Sequence, residues 1–191
     1  MANYDQQIYN AAIEEGFAPI SAKLIVAQAR IESGDYGSNV FKNNYNMFGM
    51  KYVGQPLAHR GTLAPLNERS CNGNCDGDYY AKYNSPADSA KDLVGRLYKK
   101  TRNGIGFNEL NNAIDATDFA NKLKKRSYYG FGAYGTPQAD KEISSYASGL
   151  KSRLRRIKIL EYYNSNKTVI NLLLGIVLIG GSIFYYKKMK K

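Results

Sequence analysis

Apolar positions recur at helical spacing near the start of the chain. Tyr4, Ile8, Ala11 and Ala12 share one face and Gly16 stops the run, which predicts a first helix over residues 4–16. A second, "ISAKLIVAQARIES", follows Pro19 with Ser21 as its expected N-cap and Gly34 as its stop. From about Met50 to Tyr83 the pattern changes to short extended pieces around the turn residues "NGNCDGD", the signature of a hairpin or small β lobe. Helical spacing resumes at "SPADSAKDLVGRLYKK", where Ser85 caps and Pro86 fits the first helical position, and again at "DATDFANKLKK". Beyond the Tyr/Gly-rich "RSYYGFGAYG", Thr136-Pro137 opens a long helix carrying Ile143, Tyr146, Ala147, Leu150, Leu154 and Ile157 on one face. The expected architecture is α+β and mostly helical, with a small β lobe after the second helix.

One more apolar run differs in kind. Residues 168–186, "TVINLLLGIVLIGGSIFYY", carry no charge, and 19 residues at ~1.5 Å each span roughly 28 Å, the thickness of a bilayer's hydrocarbon. A transmembrane helix is expected there, with Tyr185 and Tyr186 at the interface. Basic residues flank it in the linker 156–167 and the tail 187–191. The segment before Phe17 has neither a basic n-region nor an apolar h-region, so no signal peptide is read there.

This segment also explains the charge. The chain is +11 overall, yet residues 1–150 hold 17 Lys and Arg against 15 Asp and Glu, net +2. Residues 151–191 hold 10 against Glu161 alone, net +9. The basic excess thus belongs beside lipid headgroups, and no nucleic-acid partner is expected.

On the second helix Leu24, Gln28 and Glu32 fall at i, i+4 and i+8, so the carboxyl of Glu32 stands in the last turn beside apolar neighbours. The negative end of the helix dipole and poor hydration both disfavour its ionised form. A carboxylic acid kept protonated near neutrality can donate its proton to a glycosidic oxygen. A solvated helix-end glutamate is the alternative reading from spacing alone.

The wider context bears on that choice. "AQARIESGDYGSN…NNYNMFGMK" closely resembles the motif of glycoside hydrolase family 73, bacterial and phage endo-β-N-acetylglucosaminidases with a lysozyme-like fold. "LNERSCNGNCDGDYYAKYNSPADSAKDL" is similar to that family's β lobe and "AYGTPQADKEI" to its closing segment, so the likeness runs in order over about residues 5–155. The resemblance implies a lysozyme-like domain over 1–155 that hydrolyses peptidoglycan glycan strands without a cofactor. It implies Glu32 as general acid and Glu68 as the second carboxylate, with Asn46, Phe48, Gly49 and Tyr134 lining the cleft. Asn67 departs from the family's threonine beside Glu68. Retaining, inverting and substrate-assisted routes stay open, and so do a lytic transglycosylase or muramidase on the same fold and a non-catalytic wall-binding protein. Asp35 is a further candidate base, with a loop or capping role as its alternative.

Of the 17 tyrosines, Tyr128, Tyr129 and Tyr134 are expected in the cleft, and Tyr98 and Tyr146 in the core. Cys71 and Cys75 flank a turn and form either a bridge or two free thiols, depending on compartment. With His59 as the single histidine no metal site is expected. A wall-cutting domain with a C-terminal anchor and no export signal suits the internal membrane of a virion, with a bacterial cell membrane as the alternative.

Overall fold

A computed structural model describes residues 3–71 and 73–159. Seven α-helices and one two-stranded sheet follow in the order α1 (Tyr4–Glu14), α2 (Pro19–Glu32), α3 (Asn39–Asn44), β1 (Ala58–Leu63), β2 (Tyr79–Tyr83), α4 (Pro86–Lys91), α5 (Phe107–Asn111), α6 (Ala116–Lys125) and α7 (Pro137–Leu154). Among the described residues the regular structure is mostly helical and the sheet is small, as the pattern predicts. The chain beyond residue 159, with the expected spanning helix 168–186 and the tail 187–191, lies outside the described residues. Among those described, no helix is long and apolar enough to cross a membrane.

α2 is the axis of the domain. Ala22, Leu24, Ile25, Val26, Ala27 and Ala29 are all buried because α1 packs on one side of it and α7 on another. A helix apolar all round belongs inside a core, which leaves only its ends to reach solvent. α1 also packs on α4, and α6 on α7. The helix begins earlier than expected, with Ala18 as N-cap and Pro19 in the first turn. Ser21 is therefore a buried interior residue, and its hydroxyl donates to the carbonyl of Asn111 at 2.7 Å instead of capping.

The asparagine-rich run after α2 forms a helix, α3, capped by Ser38 and ended by Tyr45 in the left-handed conformation. Asn44 ties it to β1: its amide donates to Thr62 Oγ1 at 2.7 Å and its carbonyl accepts from Thr62 N at 3.1 Å. β1 and β2 are antiparallel, pairing Ala58 with Tyr83, His59 with Lys82, Arg60 with Ala81 and Leu63 with Tyr79, and the register slips between Arg60 and Leu63.

α4 continues as a π-helical segment over Asp92–Leu97. Buried Asp92 anchors it, accepting from Tyr83 Oη at 2.7 Å and pairing with Arg96. The wider turn ends with Tyr98 N donating to the carbonyl of Leu93 at 2.8 Å. An extra residue in a helical turn rotates everything after it, and here it sends Tyr98 inward. The Tyr98 phenol donates to Gln28 Oε1 at 2.8 Å, one turn below Glu32 on α2.

Candidate active site

Glu32 is the last residue of α2 and the chain leaves it by a tight turn. Ser33 closes the helix, its buried hydroxyl donating to Ala29 O at 2.6 Å while accepting from Tyr36 N at 3.0 Å. Gly34, Asp35 and Tyr36 then all take positive φ, at 59°, 53° and 69°. Two consecutive non-glycine residues in that region are costly and persist only where their surroundings hold them. The clamps are visible. Asp35 accepts from Arg30, Arg153 and Arg156 at 3.3–3.4 Å, and Tyr36 Oη donates to Asp5 at 2.6 Å. Arg30 in turn makes two bonds to buried Asp5. Three guanidinium groups around Asp35 make it an anchor of the loop, the second of the two readings its position allowed.

Glu32 itself is exposed to solvent yet crowded by neighbouring protein. Poor hydration raises its carboxyl above the ordinary range, and a hydrogen bond from Tyr146 partly opposes the rise. Tyr146 Oη lies 2.6 Å from Glu32 Oε1. Tyr98 and Tyr128 complete the surroundings: burial lifts both phenols, and each also feels the charge of Glu32. Uncharged phenols surround the acid, so nothing among them stabilises its anion as a cation would.

Tyr146 is half-buried and belongs to α7, far from Glu32 in sequence. It reaches the acid because α7 approaches α2 closely at Gly149, where a Cβ would stand 3.2 Å from Ile31 Cδ1. Tyr129 stacks on Tyr146 with ring centroids 4.2 Å apart and planes within 9° of parallel, and its own hydroxyl donates to Ala120 O at 2.9 Å. The tyrosine read as core is thus the one that touches the acid. Its spacing with Ile143, Ala147 and Leu150 signals only that it faces inward, and nothing in the sequence says that Glu32 is there to meet it.

The other expected residues occupy distinct places. Asn46 is buried, and its amide is saturated: Nδ2 donates to Met50 O (2.7 Å) and Ala81 O (2.9 Å), while Oδ1 accepts from Phe48 N (3.3 Å) and Met50 N (3.0 Å). It binds the Asn-Met-Phe-Gly turn to β2. Phe48 is buried, whereas Gly49, at φ 62°, faces open space where a side chain would stand. Tyr134 is half-exposed.

Glu68 ends a short 3-10 turn on the β lobe. It accepts from Lys51 Nζ at 2.8 Å and Tyr80 Oη at 2.9 Å, and Lys51 also sits 4.1 Å from the centre of the Tyr80 ring. Chiefly through Lys51, its carboxyl is held below the ordinary range.

Cys71 and Cys75 are joined by a disulfide, their Cα atoms 5.6 Å apart. Beneath it the buried Asp78 carboxylate accepts from the backbone N–H groups of Ser70, Cys71 and Gly73. These three side chains lie close enough to suggest a cation site, but the sulfurs are bonded to each other and the carboxylate is taken up by the loop. A groove of about 750 Å³ between α6 and α7, lined by Asp115, Asp118, Asp140 and Lys151 among others, shares no residue with the Glu32 cluster.

Three solved structures resemble this fold. A type VI secretion system effector–immunity complex from Pseudomonas protegens matches with TM-score 0.50 at 15% identity, over 80% of this chain and 89% of that one. A peptidoglycan hydrolase from Sphingomonas sp. A1 matches with TM-score 0.49 at 23% identity, over 78% and 85%. The catalytic domain of the autolysin Auto from Listeria monocytogenes matches with TM-score 0.42 at 25% identity, over 77% and 81%. No curated protein sequence matches the chain. The family described as glucosaminidase, mannosyl-glycoprotein endo-beta-N-acetylglucosaminidase, matches residues 6–159. With most of its length so matched and a carboxylic acid set at the end of its central helix, the chain belongs to the glucosaminidase family and is a glycoside hydrolase.

Proposed function

We propose that this hydrolase is an endo-β-N-acetylglucosaminidase that cuts peptidoglycan at the β-1,4 bond following N-acetylglucosamine, with Glu32 as general acid. The observation that carries the proposal is the setting of Glu32, solvent-open, crowded by protein and, among the described residues, hydrogen-bonded through Oε1 to Tyr146. With Oε1 engaged by Tyr146, the acid proton resides on Oε2 and passes from there to the glycosidic oxygen as the C–O bond breaks. The Tyr146 bond strengthens as Glu32 becomes anionic, so it favours the transition state over the ground state.

Glu68 takes the second role. Ionised at neutral pH and held below the ordinary carboxyl range by Lys51, it suits a charge that stabilises the oxocarbenium-like transition state more than a strong base towards water. Tyr129 and Tyr134 offer ring faces to the sugars, and Phe48 and Gly49 form cleft wall. Asn46 contributes by holding that wall in place. The uncharged run 168–186 between basic flanks supports a membrane tether, for which we favour the internal membrane of a virion. Detecting the protein in purified particles tests the location.

Mass spectrometry of wall fragments identifies the cut bond, since the new reducing end names it. N-acetylglucosamine at that end supports the proposal, N-acetylmuramic acid indicates a muramidase, and an anhydro product a lytic transglycosylase. Glu32→Gln is expected to lower turnover by 10²–10⁴-fold. Equal clearing of wall by wild type and Glu32→Gln would discard Glu32 as the acid.

A further inference from the structure

The loop between α6 and α7 holds a side chain that the catalytic arrangement does not use. Phe131 is fully exposed, the most open large apolar residue among those described. A flexible loop would fold such a ring inward, because each buried CH₂ is favourable by ~0.8 kcal/mol. This loop is not free to do so. The Glu142 carboxylate accepts from the backbone N–H groups of both Phe131 and Gly132, each at 3.3 Å, and from Gln138 Nε2 at 3.0 Å. Its other oxygen pairs with Lys124, whose side chain is buried. Gly130, at φ 73°, makes the arrangement possible, since a Cβ there would stand 2.1 Å from Glu142 Oε2. An ion pair between buried Lys124 and partly exposed Glu142 therefore fixes the backbone that displays the ring.

The same loop carries the groups beside the acid. Tyr128 feels the charge of Glu32 and Tyr129 stacks on Tyr146. Tyr128 and Phe131 are three steps apart along the chain, a reach of at most ~11 Å. Residues 127–136 include no charged side chain, and of the cations just before them Lys124 and Arg126 face inward while Lys125 is exposed. Lys124 is paired with Glu142, and Arg126 donates to the carbonyls of Lys100 and Ile105, each at 2.6 Å, and to that of Leu97. Within residues 127–136 themselves a phosphate headgroup finds no cation. An uncharged sugar, whose C–H face is apolar, needs none.

We infer that Phe131 is an outlying sugar-stacking subsite, presented by Glu142 and engaging the glycan strand beyond the sugars at the cleaved bond. This rests on the reading of the protein as a wall-glycan hydrolase. It adds that affinity rises with chain length and that Glu142 acts as a positioning residue.

The test uses the full chain bearing Glu32→Gln, so that binding is read without cleavage, titrated calorimetrically with β-1,4-linked amino-sugar oligosaccharides of increasing length. Adding Phe131→Ala is expected to weaken binding of the long oligosaccharides about tenfold, equivalent to about 1.4 kcal/mol, and to leave the shortest unchanged. Phe131→Trp restores the affinity. Because the ring touches nothing in the fold, thermal stability stays at the parent value, and Glu142→Gln reproduces the length-dependent loss. Equal affinity at every length with and without Phe131 overturns the subsite while leaving Glu32 in place, provided that the unmutated enzyme cuts wall glycan. Equal loss at every length places Phe131 at the cleaved bond and also overturns it. Loss of binding to anionic lipid vesicles with oligosaccharide affinity intact assigns the ring to a membrane instead. Failure of the unmutated enzyme both to bind and to cut glycan overturns the functional reading and this subsite with it.

Discussion

Replacing Tyr146 by phenylalanine removes one hydroxyl from Glu32 and leaves the ring stacked on Tyr129, so packing is preserved while a single hydrogen bond is lost. The bond is short, at 2.6 Å, and it changes character during the reaction. To a protonated carboxyl it is an ordinary hydrogen bond, ~0.5–1.5 kcal/mol net, and to the carboxylate a charge-assisted one, ~1.5–3 kcal/mol. The difference is about 1 kcal/mol, and the open side of Glu32 and incomplete charge development both keep it at the low end. Turnover should fall about three- to fivefold with KM nearly unchanged. The pH profile supplies an independent sign. As a general acid Glu32 works protonated, so activity is lost as pH rises through its raised pKa. Tyr146 opposes that rise, and removing it moves the alkaline limb to higher pH. The assay is the release of reducing ends from purified wall across pH, with kcat and KM fitted at each point. An alkaline limb that stays put, or moves downward, would refute the assignment of Tyr146 to the acid.

Glu32→Gln should raise thermal stability at neutral pH, because ionising a poorly hydrated carboxyl costs the folded state. The sign follows from the raised pKa: the glutamate's relative stability is greatest in acid and falls as pH rises, so the gain should vanish below the unfolded-state pKa, near 4.3. Melting curves at several pH values check it. The disulfide closes a short loop and contributes about 2 kcal/mol by chain entropy. Asp78→Ala strips three backbone N–H groups of their acceptor, so it should cost more stability and activity than Cys71→Ser/Cys75→Ser, as denaturant titration and wall clearing would show. Glu142, held near pKa about 2 mainly by Lys124, stabilises the 127–136 loop above the unfolded-state value and loses that contribution as pH falls towards 2. Pepsin cleavage in this loop should therefore appear progressively below pH 4. Tyr98→Phe leaves Gln28 Oε1 buried without its donor and should cost about 1–3 kcal/mol in chemical unfolding.

Much of this organisation is legible in the chain itself. Helical spacing after Pro19 marked α2, and Gly34 marked its end, which placed Glu32 in its last turn. The starts of α4 and α7 were written in Ser85-Pro86 and Thr136-Pro137, because capping needs only residues adjacent in sequence. Where capping was misread, at Ser21, the choice depended on Asn111, a distant acceptor that local pattern does not reveal. α3 and the π-helical segment escaped notice for the same reason. One is fastened to β1 by Asn44 and the other is anchored through Asp92 to Tyr83, and both fastenings are made across the fold.

The sequence by itself determined which carboxyl stands at the end of the central helix, since periodicity and local turn chemistry fix a residue's face and its position along an element. Only the tertiary structure decided how that carboxyl behaves. Its surroundings come from three separate segments, Tyr98 after the π turn, Tyr128 in the α6–α7 loop and Tyr146 on α7, brought together where α7 closes on α2 at Gly149. Hydration and hydrogen bonding depend on distances in space, and neither helical spacing nor motif order encodes which side chains meet once the helices have packed.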